Sequence, residues 1–199
     1  MTDKIKIDVE EIIDVKIQDE GTPVNFDEEK VEEIPVRNAG ARKNLNRENV
    51  IKALKGVSFS FGLAWRANFS KVDLSGVDLS GLDLHAVTFQ GANLSGANLS
   101  GCKLMGANFI AANLSGAIFD NADAHGCDMH GARAQQTSFR NASLVGVFAG
   151  GTNFNGADFS GADIHGAKFF NAKLVNEKLA GVKARGVDFF NAEDRKSVV

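Results

Sequence analysis

The 199-residue chain lacks any apolar run approaching a bilayer span, contains only two cysteines, and carries no surplus of charge beyond a formal −3. The first absence argues against a membrane-spanning helix. No secretory leader pattern is visible either, so the expected location is the cytoplasm or the inside of a larger assembly. The scarcity of basic residues in any one stripe disfavours direct nucleic-acid binding. Only Val36–Gly56, with six basic residues and one acidic one, could serve it, and that segment can equally pair with the acidic chain before it. From Val57 onward there is no long loop, no phosphate-cradling glycine loop and no clustered nucleophile and base, which argues against an enzyme. No catalytic residue, cofactor or metal-ligand set is assigned.

What the chain does contain is a period of five. From Phe59 to Phe189 an apolar residue recurs at every fifth position, 27 times without insertion or deletion. Two residues before each centre stands a small residue (Ala67, Val72, Val77, Ala92, Ala97, Cys102, Ala107), with Leu82 and Glu177 as the clear exceptions. Side chains two apart share a strand face, so both positions point inward and each unit is a short strand ending in a corner. Two residues after each centre, 16 Gly and five Asn (Asn121, Asn141, Asn171, Asn176, Asn191) fill 21 of the 27 slots. These residues tolerate positive φ best, as a tight corner demands. A strand that turns every five residues must coil. Cys102 and Cys127 both fall in the small inward slot and are expected to be buried free thiols.

The number of sides follows from the bulky centres. Taken modulo four units, Phe69, Phe89, Phe109, Phe169 and Phe189 share one side, Phe59, Phe119, Phe139 and Phe159 share the opposite one, and only Phe154 falls elsewhere. Stacks on two opposed sides fit a four-sided coil of 20 residues. The coil centred on Phe119, Ala124, Met129 and Ala134 has the least bulk and is expected to be the weakest.

Units such as Val77-Asp78-Leu79-Ser80-Gly81 and Ala97-Asn98-Leu99-Ser100-Gly101 resemble the repeats of the pentapeptide-repeat family, over about two thirds of the chain. The resemblance implies an all-β solenoid, a right-handed quadrilateral parallel β-helix. The repeat region, residues 57–192, would form about seven coils, followed by a tail at 193–199. Some members of that family resemble a DNA duplex in size and acidity and bind type II topoisomerases such as DNA gyrase. That alternative is weakened here because residues 57–199 carry 12 acidic and 12 basic side chains, whereas mimicry of DNA needs a dense negative field. Asp73, Asp78 and Asp83 stand early in the repeats, but Lys168, Lys173, Lys178 and Lys183 stand late.

Before the repeats lie an acidic, amphipathic arm and linker (1–45) and a short helix (46–56). In the arm, Ile5, Ile7 and Val9, then Ile13, Val15 and Ile17, alternate with polar residues as in an amphipathic strand. Such a strand, with no sheet partner nearby in sequence, can fold back on the rod or add to another chain by β-augmentation. Residues 1–35 have a net charge of −8 and residues 36–56 of +5. Asn46 can cap a helix from about Arg47 to Lys55, which Gly56 would stop, and this helix is expected to cover the open end of the first coil.

Among outward positions, Asp83/His85, Asp123/His125 and Asp163/His165 repeat every 40 residues. Two coils separate successive histidines by ~9.6 Å, too far for one metal ion to bridge. Asp120, Asp123, His125, Asp128 and His130 crowd one coil but are spread around a corner. More informative are Phe148, Phe170 and Phe190, on one side of three successive C-terminal coils, where the repeat normally places Asp, Asn or Ser. Exposed apolar patches mark contacts. The sequence therefore points to a non-catalytic scaffold, a rigid rod that docks a protein partner, or a second copy of itself at the C-terminal coils, through the arm and this aromatic patch.

Overall fold

The computed structural model describes residues 68–193, together with Glu48 and Val50. Every fifth residue from Asn68 to Lys173 forms a parallel bridge to the residue 20 positions on, beginning with Asn68↔Thr88 and ending with Lys173↔Glu193. Twenty residues at five per side make a four-sided parallel coil, and the described rod spans about six such turns.

One unit shows why the pattern is self-sufficient. In Ala97–Gly101, Ala97 N donates across the corner to Leu94 O (3.0 Å), Asn98 N to Val77 O of the preceding coil (3.0 Å), and Leu99 N and Gly101 N to Ile118 O and Asp120 O of the following coil (2.7 and 2.9 Å). The remaining amide, Ser100 N, donates to Asn98 Oδ1 at 3.0 Å. Every N–H of the pentad thus has an acceptor, as a buried backbone requires. Where an Asp or Asn precedes the centre, as in this unit, it is the corner's own acceptor, an Asx-turn. Asn68, Asp73, Asp78, Asn108, Asp158 and Asp188 repeat the contact.

Corners impose the second constraint. All positions from Lys71 to Asn191 in steps of five have positive φ: the sixteen glycines and the five asparagines, and also Lys71, Ala86, Ala111 and Gln136. The last four hold a backbone conformation that costs an L-residue roughly 1–2 kcal/mol, so the coil's hydrogen bonds outweigh local preference there.

Inside, the centres from Phe69 to Leu174 are all buried. The Phe ladders form as the spacing requires: Phe69, Phe89 and Phe109 stack at 5.6 and 5.1 Å, and Phe139 stacks on Phe159 at 5.2 Å. Phe109 meets Phe119 edge-on across the interior at 5.7 Å, so the two ladders interlock. Cysteine and threonine in the inward slot two residues before a centre satisfy their polar atoms in one shared way. Cys102 and Cys127 donate Sγ–H to Leu79 O and Leu104 O at 3.0 and 2.9 Å. Thr137 and Thr152 donate to Leu114 O and Met129 O at 2.7 and 2.5 Å. In each pair the acceptor lies 23 residues back. Both cysteines are free and buried, and burial pushes the Cys127 thiol up to about 12.

Of the expected helix at 46–56, Glu48 and Val50 are described; both are helical, and Val50 belongs to the buried core. The arm, the units before Asn68 and residues 194–199 lie outside the described residues.

Candidate interaction surface

The side of the coil centred on Phe109, Met129, Ala149, Phe169 and Phe189 carries the aromatic residues singled out from the sequence. Bridges Asp128↔Phe148, Phe148↔Lys168 and Lys168↔Asp188 fix one outer row on this side. The parallel row, two residues on, reads His130, Gly150, Phe170, Phe190. Phe148 is 47% exposed and Phe190 77% exposed, while Phe170 is half-buried. Phe170 owes its burial to Gly150: a Cβ at that glycine would collide with the Phe170 ring, which lies across the bare backbone. His130 completes the cluster, with ring centroids 6.3 Å from Phe148 and 5.4 Å from Phe170. Asp128 Oδ1 meets His130 Nδ1 at 2.6 Å and so orients the imidazole.

The structure therefore brings Phe148 and Phe170 together around His130 and places Phe190 one coil farther along the same row. Ile5, Ile7, Val9, Ile13, Val15 and Ile17 lie outside the described residues. The sequence reading missed His130 and Gly150 as members of this surface. The available signal was the 20-residue offset that puts Gly150 directly before Phe170, one of the few glycines not at a corner.

Phe148 occupies a position where most units place the corner acceptor, so an exposed ring stands where a carboxylate or amide would have closed the turn. The flanking charge is mixed: Lys168 lies between Phe148 and Asp188 on this side, and Lys173 and Glu193 are bridge partners on the next.

The Asp/His units are explained by the corners. Asp83 and Asp163 each accept the backbone N–H and meet Nδ1 of the histidine two residues later. The His165 side-chain hydrogen bond, partly countered by burial, holds the Asp163 carboxyl below its ordinary range. In the crowded coil, Asp120 pairs with Arg140 at 3.1 Å, and Asp123 accepts His125 N at 3.4 Å. Among the described residues no group of three or more His, Cys, Asp or Glu is arranged to hold a metal ion. Ladder ion pairs join coils at Asp83–Lys103 (3.9 Å) and Asp158–Lys178 (3.5 Å).

The C-terminal end differs from the sides. A cavity of about 500 Å³ opens there, lined by Phe159, Phe169, Leu174, Leu179, Val182 and Phe189 among others, with Glu177 as its one charged wall.

A family model described as pentapeptide repeats matches residues 54–91, 67–105, 102–141 and 137–176. Among solved structures, the chain is similar to HetL, a pentapeptide repeat protein involved in heterocyst differentiation regulation from the cyanobacterium Nostoc sp. strain PCC 7120. The two are 21% identical, over 63% of this chain and 73% of that one, with a TM-score of 0.55. It is also similar to a pentapeptide repeat protein of the Arabidopsis thaliana thylakoid lumen, at 41% identity over 46% of this chain and 63% of that one, TM-score 0.45. A third is a trypsin-treated variant of QnrB1, a plasmid-mediated fluoroquinolone resistance protein: 28% identity, 61% and 57% coverage, TM-score 0.44. The chain spans less than two thirds of the last two. A search of curated proteins finds no match. The likeness to HetL shows the fold, a quadrilateral β-helix.

Proposed function

The chain belongs to the pentapeptide-repeat family, and from that premise we propose that it is a non-catalytic scaffold whose rigid rod docks a protein partner along the Phe148–Phe170–Phe190 stripe. One observation carries the reading. Two large rings, at Phe148 and Phe190, stand exposed on a side whose other outer positions are largely polar, and one of them replaces a residue type that closes corners. Exposed aromatics held on a rigid surface are favoured contact residues because little side-chain entropy is lost on binding. The arm, through Ile5, Ile7, Val9, Ile13, Val15 and Ile17, is a second docking element in this reading, able to add a strand to a partner sheet.

The test is affinity capture with the full chain and with Phe170→Ser/Phe190→Ser, with solution mass measured for both. The expected result is loss of the captured protein, or of oligomer mass, with the circular dichroism spectrum of the folded coil retained. Unchanged capture and mass in the double variant would remove the stripe from the account. A chain lacking residues 1–45 separates the arm's contribution from the stripe's. Binding to a type II topoisomerase is the second reading, favoured by the carboxylates Asp73, Asp78 and Asp83 on three successive sides. Inhibition of supercoiling that survives both changes would replace the scaffold reading with this one.

A further inference from the structure

One outer row of the rod is complementary in charge to itself. Bridges Asp83↔Lys103, Lys103↔Asp123, Asp123↔Ser143, Ser143↔Asp163 and Asp163↔Lys183 stack these residues one per coil, on the side next to the aromatic stripe. At ~4.8 Å per coil the row runs about 24 Å. Its charges read negative, positive, negative, neutral, negative, positive, so the same row reversed meets it with opposite signs. Within the chain, Asp83 and Lys103 approach to 3.9 Å, and both side chains are more than half exposed. Water screens such a pair and leaves both charges open to a second partner. Two positions on runs a parallel row of His85, Met105, His125, Val145, His165 and Arg185. It holds no carboxylate, and Met105 in it is 46% exposed.

We propose that a second copy of this chain docks antiparallel on this row, about a two-fold axis that lies between the two faces and runs along the strands. Such an axis reverses the order of the coils while keeping each row opposite itself. Asp83 then faces Lys183 and Lys103 faces Asp163, each twice by symmetry, and Asp123 faces Ser143 at the centre. In the parallel row Met105 meets His165 and Val145 meets His125, while Arg185 stands against His85, the one pairing that gains nothing. The register is specific. A slip of one coil sets Asp83 against Asp163 and Asp123 against its own symmetry mate, or Lys103 against Lys183 and Asp123 against Asp163. The equivalent rows on the other sides are poorer: Asp73 would meet Lys173 and Asp78 would meet Lys178, with no second charged pair in either row, and the row beginning at Asn68 supplies none. A face one strand wide buries less than the roughly 1,200 Å² of a stable interface, so this dimer is reversible and held by charge. It leaves Phe148, Phe170 and Phe190, on the neighbouring side, to a different partner.

The experiment is sedimentation velocity of the concentrated full chain at about 10 mM and about 1 M salt, where charges act over ~30 Å and ~3 Å. The expected result is a dimer at low salt and a monomer at high salt. A monomer at both, or a dimer indifferent to salt, would overturn the proposal. Lys103→Glu and Asp163→Lys, each alone, oppose like charges across the axis and should weaken association by about tenfold or more. Mixed in equal amounts, the two variants restore opposite charges at every contact and should form a mixed dimer; no recovery on mixing contradicts the proposal. Arg133→Glu makes the same change in charge on another side and should leave the dimer intact, so an equal loss there would remove the row from the account. Should Asp163→Lys fail to fold, the contrast between Lys103→Glu and Arg133→Glu decides.

Discussion

The coils from Asn68 to Leu174 and the last coil, from Glu177 to Glu193, obey one pentad rule yet differ in what it achieves. In the former every centre is buried; in the latter Leu179 and Phe189 remain nearly half exposed. The side chains are comparable, so the difference lies in neighbours. Leu99 N and Gly101 N find acceptors on the following coil. Among the described residues, the amides of Ala184 and Phe189 have no following coil. A repeat rod is stabilised by nearest-neighbour contacts, and a pentad closes its core only when a coil lies on either side.

The largest effect should come from breaking a Phe ladder where it is closed. Phe139 is fully buried and its ring lies 5.1 Å from Phe119 and 5.2 Å from Phe159. Phe139→Ala should cost about 3–5 kcal/mol in urea denaturation. Phe189→Ala, at the open end, should cost roughly 1 kcal/mol, in line with partial burial of one ring. Equal losses at the two sites would break the comparison.

Corner chemistry comes next. Asn98→Ala removes the acceptor of Ser100 N and should cost about 1 kcal/mol. Of similar size and opposite sign are Ala111→Gly and Gly101→Ala. Ala111 holds φ 55° against its preference, and Gly101 holds φ 63° with open space around it. The first should stabilise and the second destabilise, each by about 1 kcal/mol. Thermal melts read both.

The smallest effect is on acidification. Partial burial pushes the Asp83 and Asp158 carboxyls upward, but contacts from His85 and Lys103, and from Ser160 and Lys178, more than offset this. Together with Asp163, both therefore sit below their ordinary value. A carboxyl depressed in the folded state contributes stability above its unfolded value of about 3.9 and loses it as pH falls through the lower folded one. The melting temperature should be flat from pH 6 to 5 and fall below pH 4. Because these groups are partly exposed, salt should reduce the change. Asp163→Asn keeps the corner acceptor and should blunt the fall.

The coil was legible in the sequence because its two requirements are written one residue type at a time. Inward bulk every five residues gives the sides, and Gly or Asn two residues later gives the corners. The Phe count modulo four gave the 20-residue turn that the bridges display. The role of the residue before each centre was less legible, since Asp and Asn outward on a strand look like solvated surface until the orphan N–H two residues later is counted. In the candidate site, Phe148, Phe170 and Phe190 stood out as apolar residues in polar slots. That Phe170 is half-buried on Gly150 while Phe190 projects follows from a contact between coils, which a five-residue pattern does not state. Nor does periodicity tell Leu179 from Leu99: both are centres, and only the presence of a coil beyond decides which is buried.

Amide hydrogen exchange on the intact chain, resolved by peptide mass spectrometry, tests most directly that neighbouring coils alone close each side. The account predicts the slowest exchange between Phe89 and Phe169 and exchange faster by orders of magnitude at Ala184 and Phe189, beyond which no coil stands among the described residues. Protection at Ala184 and Phe189 equal to that at Leu114 would contradict it.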